Sequence, residues 1–352
     1  MTAAATIFDG HNDVLGRLVM SGIPDPVGAF VNGSADGHID LPRMRRGGVS
    51  GGFFAMFCPS EGNFDFAAHK TADGIDIPLP EPLELHGSQL FAFRQVALLQ
   101  RILRETEDDV ALCLTRADIE AAMTAGKVAI VLHLEGAEAI DPAFDTLETL
   151  YAAGLRSLGP VWSRPNIFGH GVPFRYPSGP DTGPGLTAAG KDLVRYCNSL
   201  GVLVDLSHIT EQGFWDVAAI SKAPLVATHS NAHALCPAAR NLTDRQLDAI
   251  KESDGMVGLN FATAFLRSDG DMNPNTDLQL MVRQLDYLVA RLGETRVGFG
   301  SDFDGAVVPA AIGDIAGTQV LVGALAAAGY GAELIERLCW RNWVEVLGRT
   351  IG

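Results

Sequence analysis

Eight short, continuous apolar runs constrain this chain more than any other feature. They are TIFDGH (6–11), GGFFAMFC (51–58), KVAIVLHLEG (127–136), LRSLGPVW (155–162), GVLVDLSH (201–208), PLVATHS (224–230), GMVGLN (255–260) and RVGFGSDFDG (296–305). Each is rich in Val, Ile, Leu or Phe, as a strand buried on both faces should be. Helical patterns fall between them, at 89–105, 186–200, 242–253, 278–292 and 331–348. Thr187 is placed to cap the second of these and Gly201 to stop it. Strands that alternate with helices eight times predict a (β/α)8 barrel of the TIM type, in one domain over residues 1–352. An open doubly wound sheet is the competing architecture. Its nucleotide-binding form is disfavoured, because no strand is followed by GxGxxG or a P-loop. Two Gly- and Pro-rich stretches, 59–88 and 163–185, break the rhythm. Long loops of this kind usually shape an active site or an interface.

Composition excludes several function classes. A formal net charge of −16 argues against nucleic acid and against anionic membrane surfaces as partners. No apolar run reaches membrane-spanning length, and MTAAAT has no signal-peptide pattern. The cysteines at 58, 113, 197, 236 and 339 are scattered and odd in number, which predicts reduced thiols in a cytoplasmic protein.

Chemistry-bearing residues gather where the apolar runs end. The first run ends at His11 and Asp13, the third at His133 and Glu135, the fifth at His208, the sixth at His229, and the eighth at Asp302 and Asp304. In a barrel these ends meet at one mouth. His11 and Asp13 are separated by one residue, so on an extended chain both side chains address one point. One such pair means little, since a satisfied core histidine explains most of them. Five strand ends that each deliver a ligand type predict a metal site. Imidazole and carboxylate suit Zn²⁺, with Mn²⁺ or Fe²⁺ as alternatives. Three histidines and two carboxylates exceed what one tetrahedral zinc needs. They fit two ions about 3.5–4 Å apart, sharing a carboxylate. Glu135 is the expected bridge, with His11 and Asp13 on one ion and His208 and His229 on the other. A water between two such ions becomes hydroxide near neutral pH.

The segments FDGHNDVL, HLEGAEAI, VDLSHI, ATHSNAHALCPAARN and GFGSDFDG, in this order, resemble the membrane (renal) dipeptidase family, peptidase family M19 of the amidohydrolase superfamily. NWVEVLG (342–348) is similar to the family's closing helix. The resemblance implies a binuclear zinc barrel that hydrolyses dipeptides. It places the metal ligands on His11, Asp13, Glu135, His208 and His229. It makes Asp302 the general base and then acid, Arg240 the grip on the substrate carboxylate, and the enzyme a homodimer. Tolerance of a D-residue at the second position is also implied. Asp304 has no catalytic counterpart and reads as a supporting group, as do His133 and His233. The family's carbonyl-polarising histidine at the end of strand four falls on Trp162, which donates one N–H but carries no charge. His170, in the neighbouring FGHG stretch, is the candidate replacement. The competing substrates for the same site are another small amide, a lactone or a phosphoester. A scaffold that binds peptides without cleaving them is the non-enzymatic alternative.

Overall fold

A computed structural model describes residues 4–60, 66–71 and 74–352. All eight apolar runs contain strands: β1 (Ile7–Asn12), β2 (Val49–Phe57), β3 (Val128–Glu135), β4 (Leu155–Gly159), β5 (Leu203–Val204), β6 (Val226–Ala227), β7 (Met256–Asn260) and β8 (Val297–Gly300). β1 to β5 form one parallel ladder in chain order, and β6 to β8 form a second. The ladders touch at single parallel bridges, Asp205–Val226 and Asn12–Phe303. The expected barrel is therefore met as a curled, all-parallel α/β sheet in two ladders, not as one closed ladder. β5 and β6, at the seam, are two residues each and are joined by the single bridge Asp205–Val226.

Alternation along β3 sorts its side chains between two cores. Ile130, Leu132 and Leu134 pack outward under the helices, and Ala129 and Val131 pack inward. Period-two pleating continues the inner row through His133 to Glu135. The outer core includes Leu98, Leu147, Leu193, Leu247 and Leu285, from five different helices. The inner core is plugged by Trp343. Gly10, Gly258 and Gly298, on three different strands, clear space for its ring. A Cβ on them would lie 2.3, 2.9 and 2.6 Å from ring atoms. The indole N–H donates to Phe299 O at 2.8 Å. Trp343→Ala should destabilise the fold by about 3–5 kcal/mol, measured by denaturant unfolding.

The helical expectations are met at Leu85–Glu105, Ala188–Leu200, Asp244–Glu252 and Gln279–Leu292. Thr187 accepts from Gly190 N, and Gly201 closes its helix at φ 70°. The stretch 331–348 is not one helix. A five-residue π-helical turn, Arg337–Arg341, separates Ala332–Glu336 from Asn342–Thr350. Beyond that turn Asn342 and Trp343 bond into the strand region, Asn342 to Glu294 O and Val297 O.

The two long loops are partly ordered against each other. Lys70–Thr71, Gly74–Ile77 and Phe174–Tyr176 make a small antiparallel sheet. Residues 61–65 and 72–73 of the first loop lie outside the described residues. Among the described residues, no helix is long and apolar enough to cross a membrane.

Candidate metal centre and active site

The side chains read as ligands, from four strand ends, converge. His11 ends β1, and Asp13 starts the helix Val14–Met20 with its carboxylate unused for capping. Glu135 ends β3. His208 follows β5 with a left-handed backbone (φ 67°), and His229 follows β6. One Glu135 oxygen, Oε1, lies 3.0 Å from His208 Nε2, 3.4 Å from His229 Nε2 and 3.6 Å from His11 Nε2. His11 Nε2 is also 3.6 Å from Asp13 Oδ2. Carboxylate oxygens of Asp13 and Asp302 fall within 4.8 Å of a His11 nitrogen and of each other.

This arrangement fits a cation. Both ring nitrogens of His11, and Asp13 Oδ1, are buried with no hydrogen-bond partner among the described residues. Leaving such atoms unmet costs about 1–3 kcal/mol each. The tautomer of His229 follows from its neighbours. Thr228 Oγ1 has one proton, and it donates it to Asp205 Oδ2 at 2.6 Å. It must therefore accept from His229 Nδ1, 2.8 Å away. That leaves a lone pair on His229 Nε2, directed at a carboxylate oxygen and only 3.1 Å from His208 Nε2. A lone pair facing a carboxylate oxygen is repelled unless a proton or a cation sits between them. The tether beyond each imidazole is the usual support of a metal-ligating histidine. Asp205 is itself held by Ser207 N and Thr228 N. Ser163 Oγ contacts His208 Nδ1 at 2.8 Å.

The protonation states of the bare site follow from burial and mutual charge. Burial opposes charging His11, but Glu135, Asp13 and Asp302 outweigh it and lift its pKa to about 10. Burial lowers His208 and His229 well below the ordinary imidazole range, and positive neighbours deepen the drop, so both stay neutral. Burial, with Asp13 and Asp302 nearby, raises Glu135 well above the ordinary carboxylate range. His133 is not at this point. Its Nδ1 meets Ser157 Oγ at 2.8 Å, its Nε2 stands 3.7 Å from Asp205, and burial lowers its pKa to about 3.

Above the cluster lies a cavity of about 470 Å³ lined by Asp13, Glu135, His208, Asp302 and Trp162, among others. That volume lies within the usual range for small-molecule sites. Asp302 also has a left-handed backbone (φ 61°), and its Oδ2 accepts from Asn260 Nδ2 at 2.8 Å. Gly305 keeps the carboxylates in place, since a Cβ there would sit 2.2 Å from Asp13 Oδ2 and 2.6 Å from Asp302 Oδ1. Asp304 pairs with Arg17 at 2.9 Å and accepts from His38 N. Arg240 is buried. It donates to His229 O at 3.1 Å and Ser230 Oγ at 3.3 Å, while its Nε has no hydrogen-bond partner among the described residues. Trp162 stands at the cavity wall with its ring 5.8 Å from that of His208. The structure does not bring His170 to this wall; its carbonyl accepts from Thr210 N. His233 lies elsewhere, against Ser178 O. Sequence reasoning missed Asp205, Thr228, Ser163 and Asn260. All four lie within three residues of the end of a quoted run, and Asn260 ends one itself, which was the available signal.

A curled parallel sheet whose strand ends gather imidazoles and carboxylates around one point defines a metal-dependent hydrolase. Comparison with known proteins narrows the class. A metallo peptidase from Rhodobacter sphaeroides, solved with a phosphinate mimic of the dipeptide L-Ala-D-Ala, superposes with a TM-score of 0.96. It is 48% identical and covers 99% of this chain and 100% of its own. Dipeptidase AC, a metallo peptidase of family M19, gives a TM-score of 0.94 at 47% identity, over 99% of this chain and 100% of that one. Dipeptidase tcpJ of Claviceps purpurea (strain 20.1) is 27% identical over 347 residues, 96% of this chain and 76% of that protein. The chain belongs to the membrane dipeptidase family, peptidase family M19, whose model matches residues 1–351. It is thus a hydrolase, a metal-dependent dipeptidase.

Proposed function

We propose that this dipeptidase is binuclear and zinc-dependent, with His11 and Asp13 holding one ion, His208 and His229 the other, and Glu135 shared between them. The observation that carries the reading is the set of imidazole nitrogens around one Glu135 oxygen, with His229 fixed to present a lone pair. When bound, the cations polarise the scissile carbonyl and lower the pKa of the attacking water. The remaining work falls to the chain's own residues. Asp302, oriented by Asn260, takes a proton and later returns it to the departing amine. Arg240 grips the substrate carboxylate, which would favour dipeptides over longer peptides. Trp162 contacts substrate at the wall, and His170 receives no step. The bridges at Asp205–Val226 and Asn12–Phe303 support closure of the curl into a (β/α)8 barrel. The five buried, unpaired cysteines support a cytoplasmic setting. We further propose a homodimer, which light scattering tests.

Arg240→Ala should cost about 2–5 kcal/mol in kcat/KM on dipeptides, expressed mainly in KM. An unchanged KM would remove Arg240 from the substrate site. The reading as a whole is tested by metal analysis coupled to assays on L-Ala-L-Ala, L-Ala-D-Ala, a lactone and a phosphotriester. Two ions per chain and turnover of the dipeptides are expected. Preferred turnover of the lactone or phosphotriester would overturn the substrate assignment.

A further inference from the structure

The cavity lining is of two kinds. One is the carboxylates of Asp13, Glu135, Asp302 and Asp304. The other is a row of four touching rings. Phe265 stacks on Phe174 at 6.2 Å, Phe174 meets Trp162 at 5.5 Å, and Trp162 meets Phe57 at 5.0 Å. All four rings line the cavity. Each end of the row has an arginine on it. Arg240 lies over Phe265 at 5.4 Å, and Arg164 lies 5.3 Å from Trp162 and 6.0 Å from Phe57.

Arg164 is wholly buried, which is costly for a cation unless it is fully engaged. It is engaged. It contacts Glu138 at 3.1 Å and donates to Ser60 Oγ and Cys58 O, both at 2.8 Å. These bonds tie the segment after β2 to the segment after β4, which carries Trp162. Gly171 packs against the same segment from another side, since a Cβ there would lie 1.8 Å from Trp162 O. The tryptophan is thus braced on several sides and not left to adapt. Arg164 is a positioning residue for this wall.

From this we infer that the Trp162–Phe57 end of the aromatic row is a rigid, apolar specificity pocket for the side chain of the dipeptide's N-terminal residue, and that acidic side chains are rejected there. The inference rests on the dipeptidase reading, with the substrate carboxylate held at Arg240. Arg240 marks the Phe265 end of the row, so the residue farther from the carboxylate faces Phe57 and Trp162. Gly16 and Met20, from the first helix, complete that end. An aliphatic or aromatic side chain there leaves water for ring surface. A carboxylate would meet the negative ring faces and lose its water with no free cation to receive it, since Arg164 is already held by Glu138. A cation gains little, because Arg164 already occupies the neighbourhood of the same rings.

The test is steady-state kcat/KM of the metal-loaded enzyme on Leu-Ala, Phe-Ala, Ala-Ala, Lys-Ala and Asp-Ala, with Ala-Leu and Ala-Asp as the converse pair. Leu-Ala and Phe-Ala should exceed Ala-Ala by about ten-fold or more, with Lys-Ala lower and Asp-Ala last. Trp162→Ala should remove most of the Leu-Ala to Asp-Ala ratio, and Trp162→Phe should keep it. Melting curves report whether either variant is folded, and the wild-type series stands without them. A flat N-terminal series, or one led by Asp-Ala, overturns the pocket. Selectivity confined to the converse pair overturns its assignment to the N-terminal residue. Turnover of none of the dipeptides overturns the dipeptidase reading and this inference together.

Discussion

Asp302→Asn lowers kcat by about 10²–10⁴ while leaving metal content unchanged, the size expected for loss of general acid–base catalysis. Asn keeps the shape of Asp and can still meet Asn260, so the fold and the ligand cluster should survive. What it loses is the ability to take up a proton. The pH profile separates this from a packing defect. Burial raises the Asp302 pKa, and Asp13 adds to it, while His11 and Asn260 partly offset the rise. A base must be deprotonated to act. Wild-type kcat/KM therefore falls as pH drops through the Asp302 pKa, which bound cations bring below its value in the metal-free protein. In Asp302→Asn that limb should vanish. Wild-type activity in the variant, or an unchanged acid limb, would remove Asp302 from the chemistry.

Glu135→Gln produces the second large effect, and it reads out first in metal content. A glutamine amide has the size of the carboxylate but neither its charge nor its second acceptor oxygen. Its NH₂ group placed near His208 Nε2 and His229 Nε2 would donate to the lone pairs that should face a cation. Metal per chain should fall below that of the wild type on dialysis, and kcat/KM by ~10³ or more. Full metal occupancy in the variant would show that Glu135 is not a ligand. Chelation of the wild type should abolish the same activity, and added Zn²⁺ should restore it.

Eight parallel strands were legible in the sequence because burial on both faces leaves an unbroken apolar run, and all eight runs contain one; the short strand Val110–Leu112, which pairs with β3, was not read. Their lengths were not. β5 and β6 stop after two residues, although Asp205 still pairs with Val226 through its backbone while its side chain takes the Thr228 hydroxyl. No periodicity records such a choice. The convergence of His11, Asp13, Glu135, His208 and His229 was legible for a topological reason. Parallel strands point their C-terminal ends the same way, so residues far apart in the chain must meet once the sheet curls. The aromatic row was invisible. Phe57, Trp162, Phe174 and Phe265 come from separate segments, and nothing in their spacing marks them as neighbours. The π-helical turn before Trp343 was hidden too, since one extra residue in a turn barely disturbs an amphipathic pattern.

Trp343 imposes an order on biosynthesis. The ribosome releases Gly10, Gly258 and Gly298 well before the indole that their missing side chains accommodate. Until it emerges, the nascent sheet encloses a hole where solid packing belongs, and close-packed interiors do not tolerate one. A stop codon upstream of residue 343 would therefore give more than a shortened product. It should yield a loosened, chaperone-bound polypeptide whose strand-end side chains never reach working register.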